Sequence, residues 1–135
     1  MATMHKQAKL DVPAESAWRF VERYTRSEVH MFPSLASGER QEGEYRVVTQ
    51  HDGSEVWERN VSVDPARMRA SYTIPGIPGI EHHHASMQVV DDADGFSTIV
   101  WITDVLPDAM VDALATTYET AFADMVRSLN ASNGV

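Results

Sequence analysis

Asp108 to Asn130 reads DAMVDALATTYETAFADMVRSLN, with no glycine or proline to interrupt it. Val111, Leu114, Tyr118, Phe122, Met125 and Leu129 recur at the spacing that puts side chains on one face of an α-helix. Asp108 suits the N-cap, and Asp112 sits near the positive end of the helix dipole. Arg127 falls in the last turn, where a cation is favoured. At 1.5 Å per residue this helix spans about 34 Å. One long amphipathic helix closing a chain of 135 residues needs a partner with a wide apolar face.

The partner lies upstream. From residue 36 to residue 106 the pattern alternates and is broken by turn signals: Asp52-Gly53, Asp64-Pro65, Pro75-Gly76 with Pro78-Gly79, and Asp94-Gly95. Asp-Gly between alternating runs marks a hairpin. Strands are expected at 36–42, 44–51, 55–63, 69–75, 81–91 and 96–106, preceded by a first strand at 5–12. Pro13 suits the start of a helix carrying Ala14, Ala17, Trp18 and Val21 on one side. A second short helix is expected near Ser27–Phe32, stopped by Pro33. The expectation is therefore an α+β domain over 1–135: a seven-stranded antiparallel curved sheet, two short helices after strand 1, and the long C-terminal helix packed in the concave face. A curved sheet wrapped around one helix leaves room for a ligand pocket.

Composition narrows the partners. The formal net charge is −9, and after position 69 Arg127 is the only basic residue against nine acids. Such a chain is a poor phosphate binder, so nucleic acid and anionic membranes are not expected partners. Asp112, Glu119 and Asp124 fall outside the helix's apolar stripe and read as solvated acids. There is no cysteine, which excludes disulfides, thiolate zinc sites and Cys nucleophiles. The opening MATMHKQAKL lacks an apolar signal core, and no apolar run approaches the roughly 20 residues of a membrane span. A cytoplasmic protein is expected. There is no G-x-S-x-G, H-E-x-x-H, phosphate-binding loop or dinucleotide fingerprint, so no cofactor is expected.

Several segments together resemble one superfamily. Val12-Pro13-Ala14-Glu15-Ser16-Ala17-Trp18 is similar to its opening aPaeaVW pattern, and Gly43-Glu44-Tyr45-Arg46 to its GavR strand. Asp52-Gly53 with Trp57-Glu58-Arg59, then Arg69-Ala70-Ser71-Tyr72, continue the series. His83-His84-Ala85-Ser86-Met87-Gln88-Val89 and Ser97-Thr98-Ile99-Val100-Trp101 complete it. In order and spacing the chain resembles the START-like helix-grip (SRPBCC) superfamily, in its polyketide cyclase/dehydrase-like branch. That resemblance implies the helix-grip fold and a pocket for a hydrophobic, aromatic, polyketide-like or lipid-like molecule. It spans both binders and cofactor-independent cyclases or dehydratases, so fold alone does not decide the activity.

Alternation across the strands then assigns faces. The resemblance favours Ile99 and Trp101 inside, with Thr103 on the same face. Met87 and His83 share the inner face of their strand, and His82 and His84 point out. Because adjacent strand residues diverge, the His82-His83-His84 triple does not converge on one metal, and no metal is expected. Val61 and Val63 put Trp57 and Arg59 inside and Glu58 outside. A cross-strand Arg46–Glu58 ion pair would require the opposite.

His83, Tyr72 and Arg46 are the candidates for proton transfer or enolate stabilisation. Trp57, Arg59, Met87, Trp101, Thr103, Tyr118, Phe122 and Met125 are the candidate ligand-binding residues. An inward arginine would hold a ligand anion. The loop 75–79 and the region 30–36 would form the mouth, gated by His30 and Phe32. The apolar outer residues Val100 and Ile102 offer a homodimer face.

Overall fold

The computed structural model describes residues 2–132. Its elements run β1 (Ala2–Leu10), α1 (Ala14–Thr25), β2 (Ala36–Glu42), β3 (Tyr45–Gln50), β4 (Glu55–Asp64), β5 (Arg69–Thr73), β6 (His82–Asp91), β7 (Ser97–Leu106) and α2 (Met110–Asn130). All seven strands form one antiparallel sheet in the order β1-β7-β6-β5-β4-β3-β2. From β2 to β7 each strand pairs with the next in sequence, as the turn signals predict. Gly53 and Gly95 both have φ +88°, a conformation that the β3–β4 and β6–β7 turns need and that glycine adopts without strain. β1 closes the other edge by pairing with β7 along its whole length, Ala2↔Val105 to Leu10↔Ser97.

α1 packs an apolar stripe of Ala14, Ala17, Trp18 and Val21 against the sheet, and Tyr24 and Thr25 continue it. Pro13 stands one residue before the helix and its carbonyl accepts the Ser16 and Ala17 N–H groups. α2 lies across the concave face, with Met125 and Leu129 fully buried against the sheet and α1. Its amino-terminal half is the less buried half, and Leu114 there is only partly covered. No described helix is long and apolar enough to cross a membrane.

Three expectations are corrected. The second helix near Ser27–Phe32 is absent. Ser27 takes φ +59°, the Glu28 N–H bonds back to the Arg23 carbonyl and the Ser27 N–H to that of Tyr24. This is a Schellman stop, usually marked by glycine, here built on serine. The chain then runs as an irregular strap from 26 to 35.

α2 begins at Met110 rather than Asp108. Ala109 occupies the cap position without a side-chain cap bond, while the Pro107 and Asp108 carbonyls accept the first N–H groups. Asp124, expected in solvent, is buried at 1% exposure. Its carboxylate accepts the Ser34 N–H and Oγ–H, each at 2.7 Å, and so ties the strap to α2.

Candidate functional site

The concave face is not filled. Between it, the amino-terminal half of α2, the strap and the loop 74–78 lies an open-mouthed cavity of about 900 Å³. Trp101 forms its floor. The ring lies 4.8 Å from Tyr118 and 6.3 Å from both Phe32 and Phe122, centroid to centroid. Trp101 sits opposite Met87 on β6, so the sheet register alone fixes which side its ring takes. Its Nε1–H donates to Tyr72 Oη at 3.1 Å. The Tyr72 hydroxyl therefore accepts from the wall, and among the described residues no acceptor takes its own proton. Pro75, Gly76, Ile77 and Pro78 edge the mouth, with Leu35 across from them.

The sequence candidates divide into three groups. Tyr72, Trp101 and Tyr118 line the cavity. Met87, Thr103 and Met125 are buried core behind its wall, and Phe122 is partly buried against that core. Trp57 and Arg59 are on the convex side, contrary to the alternation argument. Trp57 borders the cavity but turns its ring outward, 40% exposed, onto Tyr45 at 5.6 Å with Arg40 over it. Arg59 is half exposed and pairs with Glu44 at 3.1 Å.

The cause is a bulge. The β4–β5 register shifts between Asn60 and Ser62, so Val63 pairs with inward Ala70 while Trp57 and Arg59 keep the opposite face. Counting in twos back from Val63 crosses that slip.

Glu58 is consequently inward, opposite Arg46. Arg46 is 2% exposed, its Nη2 meets Glu58 Oε1, and its guanidinium lies 3.5 Å from the centre of the Tyr24 ring. Arg46 Nε and Nη1 and the Tyr24 hydroxyl are buried without a hydrogen-bond partner. Glu58 and Tyr24 line the cavity, whereas Arg46 lies behind them.

His83 is inward and buried, with its ring 5.9 Å from Tyr72, but it does not line the cavity. Its Nδ1 accepts the Ile74 N–H at 3.1 Å, so Nε2 carries the proton and donates to Tyr118 Oη at 3.2 Å. Burial, with smaller contributions from His84 and His82, holds its pKa down to about 4. At neutral pH it is an uncharged clamp between the mouth loop and α2. Burial likewise pushes Tyr24 and Tyr118 up to about 12 and Tyr72 well above the usual range. All three hydroxyls are neutral hydrogen-bonding groups.

His30 is held by Glu39 at 2.8 Å rather than turned into the mouth. His82 is exposed and His84 half buried, and among the described residues no three His, Asp or Glu side chains converge on a cation site. Tyr24, Gln50 and Ser54 are lining residues that were not among the candidates, while Leu35 lies within the expected mouth region 30–36 and Leu114 on the expected apolar stripe of α2. For Tyr24 a signal existed, since it extends the α1 stripe three residues past Val21.

A family model described as polyketide cyclase/dehydrase and lipid transport matches residues 1–132. The chain belongs to that family. No curated protein matches this family member's sequence. Among solved structures it superposes on the di-domain ARO/CYC protein BexL with a TM-score of 0.80 at 15% identity, over 100% of this chain and 48% of that one. A Thermobifida fusca protein solved by NMR gives 0.77 at 23% identity, over 98% and 95% of the two chains. Norcoclaurine synthase of Thalictrum flavum gives 0.73 at 16% identity, over 99% and 96%. At such identities these likenesses show a shared fold, the helix grip.

Proposed function

We propose that the protein binds a hydrophobic, aromatic small molecule, polyketide-like or lipid-like, between the sheet and α2. The observation that carries this reading is the cavity of about 900 Å³ walled by Trp101, Tyr72, Tyr118 and Phe32. A pocket of this size suits a drug-sized ligand. Its apolar wall supplies the affinity and the spare Tyr72 proton an orienting hydrogen bond to a ligand oxygen.

A second reading, a cofactor-independent cyclase or dehydratase, has that same Tyr72 donor in its favour. An O–H aimed at a bound carbonyl would stabilise an enolate. His83 and Arg46 do not line the cavity, so on this reading Tyr72 is the group left to touch substrate. Calorimetric titration with naphthol tests the binding reading. The expected result is saturable binding with a Kd below about 1 mM, equivalent to about 4 kcal/mol. No heat of binding up to the solubility limit would contradict it.

A further inference from the structure

The connection from β5 to β6 forms one edge of the mouth and is loosely fastened. Ile74, Pro75, Gly76, Ile77 and Pro78 all border the cavity. Pro75 and Pro78 have no N–H to donate. At one end of the segment the Ile74 N–H donates to His83 Nδ1 at 3.1 Å, and at the other the Glu81 N–H donates to the Leu106 carbonyl at 2.8 Å. Between them, among the described residues, the backbone bond is internal, Ile80 N–H to the Ile77 carbonyl at 3.1 Å. His83 itself is immobile. Its Nε2–H donates to Tyr118 on α2 at 3.2 Å, and Val105, opposite it on β7, is fully buried. The two glycines of the segment differ. Gly79 has φ +82°, which the turn as it stands requires of a glycine. Gly76 has no such φ, and a Cβ there would meet nothing within 4 Å. The folded wall makes no demand for glycine at 76, so its backbone freedom matters only when the segment moves.

We propose that residues 75–80 are a lid at the cavity mouth, hinged at Gly76 and held by His83, and that its opening sets the rate at which ligand enters and leaves. This rests on the binding reading above and adds the route of passage. His83 stands behind the wall and touches no ligand, so it is a positioning residue: it ties the lid's first residue to the buried His83–Tyr118 pair. Releasing that tie lowers the barrier to opening without removing a contact to the ligand. Entry and release therefore change together.

Amide exchange of the free protein tests the lid without a ligand. His83→Ala removes the acceptor of the Ile74 N–H, so the informative amides are Ile80 and Glu81. They should exchange faster by more than about tenfold while Met87 and Trp101, in the sheet, stay protected. His83→Gln, which keeps an acceptor for the Ile74 N–H, should restore the wild-type rates. Gly76→Ala, which nothing in the folded wall opposes, should slow exchange at Ile74 and Ile80. Stopped-flow mixing with naphthol, followed by tryptophan fluorescence, then reads passage. Association and release should both rise by more than about threefold in His83→Ala and both fall in Gly76→Ala, with Kd within about twofold of wild type.

Unchanged exchange at Ile80 and Glu81 in His83→Ala overturns the lid, whatever naphthol does. So does a variant in which Met87 and Trp101 loosen equally, which would make His83 a general packing residue. Release that rises alone, weakening Kd by the same factor, puts the effect in the cavity wall and overturns the role in passage while the cavity reading stands. Naphthol that never binds overturns the binding reading and the role in passage with it, and the exchange rates still decide whether the segment moves as a lid.

Discussion

Arg46 and Glu58 face each other across the β3–β4 ladder on the concave side, each on the residue directly opposite, with Arg46 almost wholly out of solvent. Removing one partner of a buried ion pair leaves an uncompensated charge and typically costs about 3–5 kcal/mol. Replacing both with apolar residues is often close to neutral. Arg46→Met alone is therefore expected to lower stability severely in urea unfolding, and Arg46→Met/Glu58→Leu to recover most of it. A double variant as unstable as the sum of its single variants would mean that the two side chains are not coupled.

Trp57 and Trp101 are predicted to behave oppositely. Trp57 is exposed on the convex face, and Trp101 is 4% exposed in the cavity floor. Trp57→Phe should remove the fluorescence component most accessible to acrylamide and leave naphthol binding within about twofold, since its ring turns outward onto Tyr45 from the cavity edge it borders. Trp101→Ala should cost about 3–5 kcal/mol of stability and weaken naphthol binding. Equal loss of binding in both variants would contradict the outward placement of Trp57.

The order of elements, the seven strands and the gripping helix were legible because each depends on local signals: period-two alternation, Asp-Gly turns and an unbroken helical stripe. The face of β4 was not, because one extra residue near Val61 reverses inside and outside, and a bulge leaves no mark in composition. The cross-strand charge argument was the better guide there, since an Arg and a Glu in register are a property of pairing rather than of one strand. The strap from 26 to 35 was misread as a helix because its conformation comes from distant partners. Glu39 holds His30, Ser128 donates to the Met31 carbonyl and Asp124 holds Ser34. His83 was correctly turned inward, but only the three-dimensional position of Tyr118 shows that it stands behind the wall.

Asp124 is the strap's anchor. Burial alone would raise its carboxyl, but the hydrogen bonds from Ser34 and the nearby Arg127 guanidinium outweigh that and hold it below the usual carboxylate range. Asp124→Ala should destabilise the fold by about 1–3 kcal/mol, the cost of stranding buried hydrogen-bond partners. It should also speed amide exchange across residues 27–35 while β6 and β7 stay protected. Unchanged exchange in that segment would show that the strap is held by its other contacts.

His83 carries a pH signature. Its folded pKa of about 4 lies below the usual 6.5, so the unfolded chain binds the extra proton between those values. Stability from keeping this imidazole neutral is therefore complete above about pH 6.5 and is lost as pH falls toward 4. The contribution is on the order of 3 kcal/mol. His83→Gln, which keeps an acceptor for the Ile74 N–H, should flatten the stability profile across that window in urea unfolding. Carboxylates account for losses at lower pH in both proteins. An identical slope in the variant would mean that His83 is not held neutral by burial.

Native mass spectrometry of the purified protein reaches the central claim, a ligand held between the sheet and α2, most directly. The chain should take up one naphthol per 15.1 kDa monomer and release it on collisional activation. Ala121→Phe, which fills the cavity from the α2 side, should lose that adduct while keeping its fold by circular dichroism. Wild-type protein that stays bare at every naphthol concentration, or a filled variant that binds as well as wild type, would contradict the account.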